Sequence, residues 1–567
     1  MKYLLYFFIV IPAILSGQSP STDNTTYTYN QLIDAYRELD NAHAEATLIE
    51  VGPTDSGRNL SVFIISRDTS INSRGLADIT RGKTVLLINN GIHPGESCGI
   101  DASLKFAREV LQTKLPEKLL IAIIPSYNIG GMLNRGAFSR ANQDGPEEHG
   151  FRGNARHLDL NRDFIKADAL NTRSFYALFH TLQPHIFVDT HTSNGANYQY
   201  TMTLISTQKD KLNPILSKLL NQDLEPYLFK GMEQKGWPMT PYVNVFGYTP
   251  DKGFASFLET PRYASGYTAL FNTIGFITET HMLKPYQDRV ASTYSFLETL
   301  FDYTVKNGEA LRDARNAAFK YDRQQHHFDL SWKLDSQIVK KRDFAGYEYS
   351  YEKSKVHNGT RLKYHTDKPR DFTVNYYDTY KATDSARVPR FYVLPGAWRE
   401  VALLLQYNGV ELTPISQDTS LEVTSYYLSD PEFVKSPYEG HFLMTDVKVS
   451  RRTQKRKFLK GDFLINTDQE NVRFIMAVLE PSAVDSYLRW NFFDEIFQQK
   501  EYFSAYVFED TAEQLLADNP DLQNEYEQWK KDFPMLAKNS YAALTFIYRH
   551  SPYYEKEHLR YPVARVE

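Results

Sequence analysis

The chain has 567 residues, with 64 Lys and Arg against 69 Asp and Glu and a formal net charge of −5. That length exceeds one ordinary core, so two or more domains are expected. So even a balance of charge excludes a general attraction to nucleic acid or to anionic membranes. With 39 Tyr and 35 Phe there is ample material for cores, and disorder is expected only near residues 18–26.

In chain order, Lys2 precedes an apolar stretch from Tyr3 to Leu15 that is too short to span a bilayer. Ser16, Gly17 and a polar segment follow, so residues 1–17 read as a secretory signal. The expected location is periplasmic or extracellular, with no integral membrane segment once the signal is removed. Cys98 is the single cysteine. No intramolecular disulfide can form, and no cysteine follows the apolar stretch to carry a lipid. Only a few residues separate the signal from Tyr27, so no folded pro-segment is expected.

From 27 to 305, strand-like runs at 61–66, 84–90, 119–125, 186–190, 201–206 and 275–278 alternate with helical patterns. Several are continuous Val/Ile/Leu runs, as in strands covered on both faces. After Glu96, the residues Ile100, Leu104, Ala107 and Leu111 form a helical stripe. The alternation predicts an α/β domain with a mixed, mostly parallel central sheet flanked by helices. Residues 306–327 read as a charged helical connector. Residues 328–567 read as a β-rich region with some helices, a sandwich being one form of it. Strands are expected there at 347–351, 390–394, 401–405 and 420–427, and a helix from Asp510-Thr511 toward Asn519-Pro520. The basic run 451–457 reads as a solvated hairpin, and Trp398, Trp490 and Trp529 as core.

Three short stretches stand at the ends of the predicted strands: His93-Pro94-Gly95-Glu96, Asp159-Leu160-Asn161-Arg162 and Asp189-Thr190-His191. His93 and Glu96, three apart across a sharp turn, can converge on one ion. His191 from a distant strand makes a third ligand and leaves a fourth position for water, the pattern of a catalytic zinc site. Arg162 supplies a guanidinium able to hold a substrate's charge. A further strand ends at Glu279, a carboxylate suited to a general base. Ligands in open α/β sheets bind at the carboxyl ends of strands, where all four segments fall.

In these motifs and their order, with the lead-in Gly57-Arg58-Asn59-Leu60, residues 27–305 resemble the zinc metallocarboxypeptidases of the carboxypeptidase A-like family. The resemblance implies one zinc per chain, held by His93, Glu96 and His191, with Glu279 as the base that deprotonates a zinc-activated water. It implies that Asp159 steadies the His93 ring, and that Asn161 and Arg162 grip the terminal carboxylate of a peptide with a free C-terminus. For the arginine that stabilises the oxyanion it leaves Arg135, Arg140, Arg152 and Arg156, with Arg140 favoured by relative position. Tyr267 and Tyr263 are its candidates for the tyrosine that closes over the substrate. Arg262 would suit an acidic substrate side chain or a structural ion pair. His180, His185 and His281 are not expected to be ligands. A zinc amide hydrolase, deacylase or cell-wall peptide hydrolase on the same scaffold is the alternative within the enzyme class. A catalytically silent peptide- or glycan-binding protein is the alternative outside it.

Overall fold

The computed structural model describes residues 24–68 and 75–567. The expected signal at 1–17 lies outside the described residues, as does the 18–23 part of the segment expected to be disordered. By its contacts the chain divides into two units. One comprises the residues up to Gln324 with Trp332–Ala382, the other Gln325–Ser331 with Thr383–Glu567.

The first unit is built on an eight-stranded sheet. Its strands are β1 (Ala46–Pro53), β2 (Asn59–Ser66), β3 (Thr84–Asn89), β4 (Leu119–Ile124), β5 (Ile186–Ser193), β6 (Met202–Ser206) and β7 (Met239–Pro241). After the short strands β8 (Asn244–Val245) and β9 (Phe254–Ala255), the eighth member is β10 (Ile274–His281). The spatial order is β1-β2-β4-β3-β5-β10-β6-β7. Its centre, β4-β3-β5-β10, is parallel, and β1, β2 and β6 introduce the antiparallel pairings. Every residue of β3, β4 and β5 is buried, which is why these strands are unbroken apolar runs rather than alternating ones. The sheet is therefore mixed with a parallel core, as the sequence predicts.

The helix Cys98–Val110 turns the stripe of Ile100, Leu104 and Ala107 into the core. The helix Tyr286–Arg323 runs for 38 residues and bends at Asn307, beside the expected end of the domain at 305. Its second half is no connector. Leu311 and Ala318 are buried in the same core, and the Thr84 hydroxyl donates to the Gly308 carbonyl at 2.8 Å.

Beyond β11 (His327–Leu334), a long hairpin of β12 (Lys340–Lys353) and β13 (Thr360–Tyr377) returns to the first unit. β13 pairs with β9 through Tyr376 and Tyr377. Phe344, Val374 and Tyr376 pack with Tyr198 and Phe254 in a small core. The boundary expected at 328 thus differs from the division by contacts.

The second unit holds a six-stranded sheet, with antiparallel pairings throughout, and helices including Val472–Leu479. Among the described residues a two-stranded sheet of β11 with Tyr380–Arg387, which lies largely in this unit, stands beside it, and there is no second large sheet to make a sandwich. Residues 401–405, expected as a strand, lie in the helix Arg399–Tyr407. The helix expected from 510 begins earlier and spans Ala505–Asp518. The basic run 451–457 sits inside the strand Met444–Phe458, one arm of a hairpin. Trp490 is fully buried, whereas Trp398 and Trp529 are only partly so. Arg565 and Glu480 form a buried ion pair at 2.7 Å, with the hydroxyls of Tyr392 and Tyr426 on the same carboxylate.

Candidate active site

The carboxyl ends of β3, β5 and β10 meet at one edge of the sheet. β3 delivers the chain to His93. Parallel pairing sets Glu279 of β10 directly beside His191 of β5, and Asn89 of β3 beside Asp189. Gly95 lies under the Arg140 side chain, where an added Cβ would come within 2.7 Å of Arg140 Cδ. A larger residue there would push the arginine off the turn.

His93, Glu96 and His191 are buried, and each offers a ligand atom within 4.8 Å of the others. His93 Nε2 lies 2.8 Å from Asp159 Oδ1, and His191 Nε2 lies 2.9 Å from Asp189 Oδ2. An ionised carboxylate only accepts, so each Nε2 carries the ring proton and each Nδ1 presents its lone pair. Both Nδ1 atoms face Glu96, at 3.3 Å from Oε1 for His93 and 2.9 Å from Oε2 for His191. Two imidazole lone pairs and a carboxylate turned toward one another are a set that a divalent cation resolves. Nitrogen and oxygen donors in that number fit zinc.

Around this set, Arg140 donates to Glu96 Oε1 at 2.9 Å and to the Thr192 carbonyl at 2.8 Å. Burial alone would raise the Glu96 carboxyl, but the Arg140 guanidinium beside it leads the groups that hold it well below the usual range. Arg152 reaches Asp159 at 2.9 Å and His93 Nδ1 at 3.2 Å. Its side chain is 45 % exposed, against 15 % for Arg140. Glu279 is pushed up to about 7, chiefly by burial. The neighbouring Glu96 adds to the rise, while His191, Arg140 and Arg152 oppose it.

The cleft over these groups measures about 420 Å3, and Arg140, Arg152, Asn161, Arg162, Tyr263 and Glu279 all line it. Asp159 caps the short turn Leu160–Arg162 by accepting from Asn161 N at 2.9 Å. The Asn161 side-chain carbonyl accepts from Ala264 N. Arg162 stacks on the ring of Tyr263, 4.4 Å from its centroid.

Tyr267 does not belong to this set. It is fully buried, bonded to His180 and packed among Phe164, Tyr176, Phe179 and Phe271. Four residues after Tyr263, it falls on the inward face of the helix Ala264–Ala269. Arg262 is likewise absent from the residues lining the cleft. Both ring nitrogens of His281 are engaged, by the Ala196 carbonyl and by Leu283 N. Sequence reasoning gave no role to Asp189, and it left out Tyr242 and Phe257, which form part of the cleft wall.

Residues 32–185 match the family model described as zinc carboxypeptidase. The match takes in the His93-Pro-Gly-Glu and Asp159-Leu-Asn-Arg segments. That segment of the first unit belongs to the zinc carboxypeptidase family. Carboxypeptidase 2 of Trichophyton rubrum is 22 % identical to the chain over 454 residues, 76 % of this chain and 78 % of the relative. Carboxypeptidase 2 of Trichophyton equinum is 21 % identical over 420 residues, 70 % and 72 % of the two chains. Among solved structures, a metallo-carboxypeptidase from Burkholderia cenocepacia is similar with 14 % identity and a TM-score of 0.34, over 49 % of this chain and 69 % of that one. Carboxypeptidase A from Helicoverpa armigera gives 13 % and 0.37, over 52 % and 78 %. The family makes the carboxypeptidase domain a peptide-bond hydrolase. Its match ends before His191 and Glu279, which the sheet register brings to the same edge. Among the described residues no helix is long and apolar enough to cross a membrane.

Proposed function

We propose that the chain is an exported zinc carboxypeptidase that removes single residues from the free C-terminus of peptides, with Glu279 as general base. The observation that carries this reading is the pairing of Glu279 with His191 across β10 and β5, opposite Asn161, Arg162 and Tyr263 in one cleft. A zinc ion held by His93, Glu96 and His191 would supply Lewis acidity toward a carbonyl and a water.

In this reading the remaining work falls to the chain's own groups. The Arg162 guanidinium, steadied by the Tyr263 ring, takes the substrate's terminal carboxylate through parallel hydrogen bonds, and the Asn161 amide assists. That clamp sets the scissile bond one residue from the chain end. Glu279 accepts a proton from the attacking water and returns it to the leaving nitrogen. A carboxyl near 7 serves both transfers at neutral pH. Both guanidiniums are bonded, Arg152 to Asp159 and His93 and Arg140 to Glu96, Gln143 and the Thr192 carbonyl, and Arg152 takes the oxyanion role because it is the more open to the cleft. Asp159 and Asp189 hold the imidazoles in one tautomer. Export rests on the N-terminal signal pattern.

The test is Glu279→Gln. The reading predicts loss of turnover by at least roughly 1,000-fold with zinc content and substrate affinity retained. Turnover within about tenfold of wild type would remove Glu279 from the base role.

A further inference from the structure

The loop that follows the helix Ile129–Leu133 brings Arg140 to the site. At its turn Ser139 and Arg140 both take left-handed backbone, with φ of 63° and 41°. Neither is a glycine, so both conformations are sterically costly and persist where their surroundings hold them. Gln143 is central to that hold. Its backbone N–H donates to the Arg140 carbonyl at 2.9 Å. Its side-chain Oε1 accepts from Arg140 Nε at 2.6 Å, and its Nε2 donates to the Gly95 carbonyl at 2.9 Å. An arginine only donates and a carbonyl only accepts, so one amide serves both, whereas a glutamate there would set a carboxylate against the Gly95 carbonyl. The next two residues are anchored as well. Asp144 N donates to the Met282 carbonyl at 2.8 Å, and the buried Arg289 donates to the carbonyls of Asp144 and Gly145.

The guanidinium so held is the one that touches the proposed ligand set most closely. With Nε on Gln143, its Nη1 reaches Glu96 Oε1 at 2.9 Å and its Nη2 the Thr192 carbonyl at 2.8 Å. Arg152 stands farther off, at 3.5 Å from the same Oε1. Thr192 N in turn donates to Glu96 Oε2 at 2.8 Å. Each oxygen of a carboxylate has two lone pairs. On Glu96 one is taken by Arg140 at Oε1 and one by Thr192 at Oε2. Oε1 and Oε2 then face Nδ1 of His93 and of His191. Gly95, whose carbonyl Gln143 also holds, stands in the turn between His93 and Glu96. Bonded at all three nitrogens, the planar guanidinium sets the angle of the carboxylate against the strand that carries His191. Gln143 itself is not among the residues lining the cleft, yet both of its side-chain bonds end on groups that position the ligands.

We propose that Gln143 is a positioning residue for the metal: through Arg140 and Gly95 it fixes Glu96 in the orientation that receives zinc. The inference rests on the zinc site of His93, Glu96 and His191 given above. Gln143 carries no charge, so it acts through geometry alone. Its loss frees the guanidinium to swing on its stem and the carboxylate to turn with it, and removes a bond that offsets the strain at Ser139 and Arg140.

The test uses the full protein, stripped of metal and titrated with zinc against a chromogenic chelator at pH 7. Gln143→Leu keeps the size of the side chain and removes both of its hydrogen bonds. It should weaken the zinc Kd at least about 10-fold, and it should shift the visible absorption of the cobalt-loaded protein, which reports ligand geometry. Arg140→Lys keeps the charge and loses the fork. In that background Gln143→Leu should weaken zinc binding by no more than about threefold, since the group it works through is already gone. A zinc Kd within about twofold of wild type in Gln143→Leu would overturn the inference, even with a lower melting temperature of the metal-free protein, because that pattern belongs to packing alone. An equal loss in the two backgrounds would also overturn it. Failure of the wild-type protein to bind zinc would instead overturn the zinc-site reading, and the inference with it.

Discussion

Asp189→Asn removes one charge from behind the proposed ligand set and almost nothing else. Asp189 is fully buried. Its Oδ2 lies 2.9 Å from His191 Nε2, and its Oδ1 accepts from Asn89 Nδ2 at 3.0 Å. An amide at 189 can still accept the imidazole proton, provided its own NH2 finds an acceptor at Asn89. Asn89 has one to give, since its Oδ1 has no partner and turning the Asn89 amide over brings it into line. Shape and hydrogen-bond count survive, and what is lost is the support that a carboxylate lends to the imidazole. Loss of such a partner costs roughly 10- to 100-fold in metal affinity, about 1.4 to 2.7 kcal/mol. The assay is zinc competition against a chromogenic chelator at pH 7, with thermal unfolding of the metal-free protein as a control. A zinc Kd within twofold of wild type would refute the assignment of His191 as a ligand oriented by Asp189.

Asp101 is buried under the hydroxyls of Thr26 and Tyr286, and burial pushes it up from 3.8 to about 7 against their hydrogen bonds. A carboxyl whose folded value lies above its unfolded one contributes stability below about pH 4 and loses it as pH rises through 7. That stability amounts to at most about 4 kcal/mol. Asp101→Asn should flatten the fall in denaturant midpoint between pH 5 and 8, and an unchanged slope would contradict the burial argument. Tyr263→Ala removes the ring beneath Arg162 and should raise KM about 3- to 30-fold. Tyr267→Phe should cost about 1 kcal/mol of stability and leave kcat and KM unchanged; the reverse pattern would return Tyr267 to the substrate. At Gly99 an added Cβ would lie 2.0 Å from Thr190 Oγ1. Gly99→Ala should therefore lower stability by about 1–3 kcal/mol and weaken zinc retention by shifting the strand that carries His191, whereas an unchanged melting temperature would count against that packing.

The parallel centre of the sheet was legible because strands covered on both faces must be apolar throughout, as in Leu119–Ile124. Asp189 carried a signal that went unused: residues two apart on a strand share a face, so a carboxylate at 189 stands beside an imidazole at 191. Tyr267 misled because Tyr263 and Tyr267 look alike in sequence, and only the short helix Ala264–Ala269 turns one into the core. Val401-Ala-Leu-Leu-Leu is an apolar run with no decisive period, so helix and strand could not be told apart. The hairpin of β12 and β13 was assigned to the second region because its ties to the first are a two-residue ladder with Phe254 and Ala255 and a small core with Tyr198. No local pattern announces a pairing that short across so many residues.

The most direct test of the central claim compares paired peptides bearing free and amidated C-termini, incubated with the zinc-loaded protein and followed by mass spectrometry. The account predicts stepwise loss of single residues from the free acids and none from the amides, because the Arg162 clamp needs a carboxylate. Equal cleavage of both forms, or cleavage within the peptides, would contradict it.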